Sequence, residues 1–208
     1  KQNGGNGILI QSLKSEMGIS IEPCTKRDEL LSCFNQVFGI YHLAEGFLST
    51  SLDNINMALH PLPVLLNIGA VESKNALFRH YIDGVSPTIG RLMDQIDAER
   101  ISIGEKLGIK LTSALDQLKV YYGDYPAKNL CEYVSREDGP YPGVGKFGLD
   151  SRYIQEDIPY LLVPAIAIAD QIGVDVPIMK FSVELANLIT GQDFNKETFD
   201  LKMLEAVL

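Results

Sequence analysis

The chain has no long apolar run, no basic cluster and no paired-cysteine motif. Over its 208 residues the longest apolar stretch, Tyr160 to Ala169, falls far short of the ~20 residues a spanning helix needs. A membrane role is not expected. Lys and Arg number 18 against 27 Asp and Glu, a net charge of -9, and no segment gathers the basic residues. Such a chain repels phosphate backbones, so nucleic-acid binding is disfavoured. The acidity itself reads as a solubility feature. The three cysteines, Cys24, Cys33 and Cys131, are odd in number and fit no CxxC spacing. They read as small apolar residues of a reducing compartment, the cytoplasm. The polar, glycine-rich start KQNGGNG does not read as a secretory signal.

Chemical motifs are also missing. There is no GxGxxG at a strand-to-helix turn and no GxxxxGK[ST]. The segment PYPGVGKFG, Pro140 to Gly148, is glycine-rich, but no strand precedes it. HExxH and GxSxG do not occur. His42, His60 and His80 have no Cys or carboxylate at metal-ligand spacing, so a zinc site is not expected.

What is present is a globular composition, 46% apolar and 22% charged, in a chain long enough to bury a core. The first 50 residues mix signals. Ile8–Ile10 and Ile19–Ile21 read as short strands. Residues 26–38 read as a helix capped by Thr25, with Leu30, Leu31, Phe34, Val37 and Phe38 on one side and Gly39 as its stop. A strand–strand–helix piece cannot bury a sheet face alone, so residues 1–50 read as the remnant of an α/β domain.

From residue 51 the pattern is helical. Asp53 or Asn54 caps a helix reaching Ser73. Ser86-Pro87 is an N-cap followed by a first-turn proline, and Gly108 closes that helix. Further helices are expected over 111–122, 127–136, 151–172 with breaks near Pro159 and Pro164, 177–190 and 199–206. Residues 137–150 form a long Gly/Pro loop, of a length that is often functional. The fold class is mainly α: an all-α domain over 51–208 behind the small α/β remnant.

Two places carry candidate chemistry. Asn56 and His60 are i and i+4 on one helix face. Pro61 and Pro63 cannot donate to the carbonyls of Met57 and Leu59, so the helix must break beside His60. An imidazole there is either a core histidine satisfied by a freed carbonyl or a site residue. The second place is the mouth of the apolar helix at Ser151, with Arg152, Glu156 and Asp157. These charges serve the helix end, with Ser151 as its cap, or they serve a site. Arg152 and Asp157 lie roughly 140° apart on a regular helix, so they do not pair directly but can approach a third group.

The strings NxxxHPxPVLLN (56–67), GVSPTIGRLMDQIDAER (84–100), SRYIQEDIPYLLVP (151–164) and LANLITGQDF (185–194) stand in this order. Together they resemble the C-terminal domain of the octopine/nopaline (opine) dehydrogenase family. The likeness runs from about residue 50 onward. It implies a helical domain similar to the C-terminal domain of 6-phosphogluconate dehydrogenase, which supplies substrate contacts beside a nucleotide-binding domain. It implies reductive condensation of a 2-oxo acid with an amino acid, using NAD or NADP. The family's catalytic residues fall on His60, Arg152 and Asp157, and a substrate-binding Asn falls on Asn56. His60 is then the general acid/base, Asp157 orients it, and Arg152 holds a carboxylate or completes a proton relay. The nucleotide fingerprint is absent, so the chain by itself is expected neither to bind the cofactor well nor to turn over. A homodimer is compatible with the likeness. The 137–150 loop is a candidate for choosing the amine. Two other readings stand beside this one: a non-catalytic helical binding or dimerisation module, and a ketopantoate-type 2-oxo acid reductase.

Overall fold

The computed structural model describes residues 14–22, 25–73 and 77–196. At the amino-terminal end, β1 (Met17–Ile19), α1 (Arg27–Val37) and β2 (Tyr41–Leu43) form a β-α-β unit. The two strands pair in parallel, Met17 beside Tyr41 and Ile19 beside Leu43. Gly39 makes the turn out of α1 with φ 68°, a conformation that costs a residue with a Cβ. Asn35 then fixes the strand entry: its amide donates to the Tyr41 carbonyl and its oxygen accepts from the Tyr41 N–H.

This unit corrects several expectations. β1 lies two residues earlier than Ile19–Ile21, and β2 was not foreseen. The cap of α1 is Lys26, whose side chain makes no capping hydrogen bond, rather than Thr25. The apolar side of α1 is unburied, with Leu30, Phe34, Val37 and Phe38 all exposed. The expected strand Ile8–Ile10, Cys24 and the expected helix 199–206 lie outside the described residues.

The rest is helical. After α2 (Phe47–Leu52), one expected helix is three short ones: α3 (Asn56–Leu59), α4 (Pro61–Leu66) and α5 (Ile68–Glu72). The first break is the proline-driven one at His60, φ -104° and ψ -53°. The second comes at Asn67, whose amide donates to the carbonyls of Pro63 and Gly84. Asn54 starts α3 by accepting from the Asn56 N–H at 3.1 Å.

The long helix α6 (Pro87–Leu107) begins and ends as its capping residues dictate. The Ser86 hydroxyl accepts from Ile89 N–H, and Gly108 adopts the left-handed conformation. Next come α7 (Ala114–Tyr122), capped by Ser113, and α8 (Leu130–Val134), capped by Asn129. Both start about three residues later than expected, where a hydroxyl or amide side chain can cap. α8 packs close on α6: a Cβ on Gly90 would overlap Cys131.

The 137–150 loop returns to the body, where Gly145 bridges to Arg79 and the His80 N–H donates to the Val144 carbonyl. The expected helix from Ser151 is α9 (Arg152–Gln155), a π-helical turn (Ile158–Leu162) and α10 (Val163–Ile172). Pro159 cannot donate to the carbonyl four residues back, and the backbone widens there: Val163 N–H bonds to Ile158 O. Pro164 makes no second break, because it falls in the first turn of α10. Ser151 stands at the cap position, but its hydroxyl is buried without a hydrogen-bond partner. Last are α11 (Pro177–Thr190) and a short 3-10 turn. Both carboxylate oxygens of Glu99, on α6, accept from the first N–H groups of α11.

Two apolar cores result. One joins α2–α4, α6 and α9–α11 through Met57, Leu62, Ile96, Ile154, Leu162 and Val183. The other joins α3, α6, α7 and α8 through Leu59, Met93, Leu118, Leu130 and Tyr133. α3 and α6 contribute to both. His60, at the end of α3, therefore sits at the seam. Among the described residues no helix is long and apolar enough to cross a membrane.

Candidate active site at the seam of the two cores

His60 is 7% exposed and its Nδ1 lies 2.6 Å from Oδ2 of Asp157. Asp157 is itself 3% exposed and stands immediately before the π-helical turn. Burial lowers the imidazole pKa from its ordinary value, and the Asp157 hydrogen bond and charge oppose that shift. The resting ring is therefore neutral near pH 7. With the Asp157 carboxylate as acceptor, the proton is assigned to Nδ1. Nε2 takes no partner among the described residues, and His60 forms part of a cleft wall.

Aromatic rings hold the imidazole in place. Tyr153 stacks on it at 3.7 Å between centroids and 4° between planes. Phe147, from the 137–150 loop, backs Tyr153 at 4.0 Å. His80 meets both His60 and Tyr153 edge-on. His80 is 1% exposed and its Nε2 has no partner. The Leu59 backbone, whose carbonyl Pro63 frees, lies close enough to oppose the effect of burial on the His80 pKa. His60 itself has a carboxylate partner. Burial, with His60 beside it, pushes the His80 pKa down to about 3, so His80 is neutral.

Asn56 and Arg152 line the same cleft, about 550 Å³ in volume. Asn56 is half-buried and its side chain has no partner among the described residues. The Arg152 side chain is 57% exposed and its nearest acid is Glu156 at 3.8 Å, a loose surface pair of little energetic weight. Arg152 and Asp157 form no bond with each other, as their spacing requires. Arg152 is close enough to His60 for its charge to lower the imidazole pKa. The four residues singled out in the sequence, Asn56, His60, Arg152 and Asp157, therefore converge on one place.

A second cleft of about 430 Å³ lies at the ends of β1 and β2, walled by Gly18, His42, Ala44 and Thr112. It shares Lys14, Ile55, Asn56 and Tyr121 with the first. Behind this shared wall Arg100, wholly buried, donates to Asp97, to Asp53 and to the carbonyls of Leu52 and Thr112. Gln117 joins through Asp53 and carries Tyr121 on its own amide oxygen. This network, His80 and the tyrosines of the wall had no role in the sequence reading. Arg100 did close one of the quoted strings, and a buried arginine within an apolar helix pattern is a signal for such a network. Among the described residues no group of three or more His, Cys, Asp or Glu could hold a metal ion.

The family model for the α-helical domain of NAD/NADP octopine/nopaline dehydrogenase matches residues 43–190. An opine dehydrogenase of Arthrobacter sp. (strain 1C) is 32% identical over 198 residues, covering 95% of this chain and 54% of the relative. The chain thus spans about half the length of that curated relative. Octopine dehydrogenase solved with NADH and L-arginine superposes with a TM-score of 0.70 at 19% identity, over 86% of this chain and 50% of that one. Octopine dehydrogenase solved with NADH and pyruvate gives a TM-score of 0.62 at 15% identity, over 92% and 57%. At these identities the two structures establish the fold. The mainly α fold and the order of the four strings agree with that match, and the chain belongs to the octopine/nopaline dehydrogenase family, whose α-helical domain it carries.

Proposed function

We propose that the chain is the substrate-binding and proton-transferring part of an NAD(P)-dependent opine dehydrogenase-type oxidoreductase. The amino nitrogen of one substrate bonds to the carbonyl carbon of a 2-oxo acid, and the carbonyl oxygen leaves as water. The resulting C=N is reduced to C–N, its carbon gaining a hydride and its nitrogen a proton. A bound reduced nicotinamide cofactor, NADH or NADPH, would supply the hydride.

The observation that carries this reading is the buried His60–Asp157 pair, open through His60 to a cleft in which Arg152 and Asn56 stand without strong partners. His60 is the general acid/base, because its Nε2 alone is left for substrate. Asp157 fixes the tautomer and favours the charged ring when it forms. Arg152 holds a substrate carboxylate with its planar fork. A His–Arg–Asp relay is less favoured, since no hydrogen bond joins Arg152 to either partner. Asn56 positions the carbonyl oxygen or the amine beside His60.

The residues present fit the nicotinamide end of a dinucleotide. The 430 Å³ cleft at the strand ends shares its wall with the His60 cleft, so a flat ring there would lie beside the substrate. Among the described residues no glycine-rich strand-to-helix turn stands ready for the pyrophosphate. Gly18, Ala44 and Thr112 are the candidates to border the ring. The dinucleotide's remainder is assigned to the nucleotide-binding half of the full-length enzyme, with residues 1–50 as part of that half and 51–208 as the helical domain.

The test follows NADH and NADPH oxidation by the full-length enzyme with pyruvate and a panel of amino acids, beside His60→Ala. Amine-dependent oxidation that collapses in the variant is expected, with a secondary amine as product. Oxidation needing no amine would replace this reading with a simple oxo-acid reductase. No oxidation and no nucleotide binding would replace it with a non-catalytic module.

A further inference from the structure

We infer that the amine substrate carries a neutral side chain, apolar or aromatic, and that the 137–150 loop helps select it. The inference rests on the opine-type reading above and adds to it the class of the amine.

Charge counting in the cleft leads there. Its lining contains two basic side chains, Lys14 and Arg152, and among the described residues no Asp or Glu. Of the carboxylates close behind it, Asp157 is already bonded to His60, and Asp97 and Asp53 to Arg100. A 2-oxo acid and an amino acid bring one carboxylate each, and the two cations match them. Among the described residues nothing in the lining is left to neutralise a third charge. A guanidinium or ammonium side chain would meet two cations without a counter-charge, and a side-chain carboxylate would have no third cation. A charge buried without a partner is strongly disfavoured.

The remaining wall is built for apolar and aromatic contact. Leu118 and Val144 line it together with the rings of Tyr81, Tyr122, Tyr141 and Tyr153. Tyr141 stacks on Tyr81 at 4.4 Å and meets Tyr122 edge-on at 5.6 Å. Burial raises the pKa of Tyr81, Tyr141 and Tyr153, so none becomes a phenolate that could stand in for a carboxylate. A ring face can attract a cation, but Tyr121 already has the Lys14 ammonium 4.3 Å from its centroid. Pro140, Tyr141 and Val144 of this wall all belong to the 137–150 loop. The loop is anchored where Gly145 bridges to Arg79, so its side chains are presented to the cleft from a fixed position.

The test uses the full-length enzyme with saturating cofactor and pyruvate. It compares kcat/KM for L-phenylalanine, L-leucine, L-arginine and L-glutamate. The neutral pair should exceed the charged pair by about ten-fold or more. Arginine or glutamate equal to or better than the neutral pair would overturn the inference while leaving the opine-type reading intact. Failure of every amine would overturn the reading beneath it. In Val144→Glu the added carboxylate should raise arginine relative to phenylalanine by roughly ten-fold. An unchanged ratio in a variant that melts like wild type would remove the loop from the amine pocket.

Discussion

The ring of Tyr153 lies flat on that of His60, 3.7 Å away and within 4° of parallel. One face of the imidazole is thereby covered and its plane is set. Asp157 fixes rotation within that plane from the Nδ1 edge. The opposite edge is the one available for proton transfer. Tyr153→Leu should keep the Asp157 bond yet lower kcat by about ten-fold, since a loosely held base loses much of its advantage. Tyr153→Phe retains the stack and should stay near wild type in steady-state assays.

Arg152 is more than half exposed and bound only loosely to Glu156, so its removal should leave stability unchanged. If Arg152 holds a substrate carboxylate as proposed, Arg152→Ala should raise KM for that substrate by about ten- to hundred-fold, the scale of one charge-assisted pair. Arg152→Lys should restore only part of that, because an ammonium cannot reproduce the two-pronged contact. Substrate titrations beside thermal melts check both halves.

Arg100 is a structural charge. It is wholly buried and tied to Asp97, Asp53 and two backbone carbonyls. Arg100→Leu would strand the Asp97 charge and take the guanidinium donor from the Leu52 carbonyl. It should cost about 3–5 kcal/mol of stability, read by urea unfolding. The loop from Asp53 to Asn56 hangs on the same network, so substrate KM should rise even in molecules that remain folded.

His80 should make the fold sensitive to acid. Its folded pKa is about 3 against ~6.5 for a free histidine. Between those values the unfolded chain binds a proton that the folded one refuses, so stability rises with pH across this window. It is fully present above the unfolded value and is lost as pH falls toward the folded one, by up to roughly 5 kcal/mol. Lowered in the same direction, His60 adds to the effect. Urea unfolding at pH 7 and pH 4.5 should show His80→Phe losing less stability on acidification than wild type.

How much of this was legible beforehand depended on how local each cause is. Ser86, Pro87 and Gly108 delimit α6 because caps act within one turn, and the observed ends agree. The break at His60 was readable from Pro61 and Pro63 for the same reason. The second break was not, because Asn67 reaches across to Gly84. β2 is three residues long with exposed His42 at its centre, too short for alternation to speak. Asp157 lies 97 positions from its partner, and only the family resemblance brought the two together in advance. His80 sits in no periodic segment, and its packing against Tyr153 and Leu59 is wholly tertiary.

The central claim is that Asp157 makes His60 the proton-transfer group. The measurement that tests it most directly is the pH profile of kcat/KM for the full-length enzyme and its Asp157→Asn variant. Asp157 raises the His60 pKa against the lowering due to burial. Its removal should move the limb assigned to His60 to lower pH. It should also depress the plateau by about 10²–10⁴-fold, as expected when a general base loses its orienting carboxylate. A variant with an unshifted limb and a wild-type plateau would contradict the account.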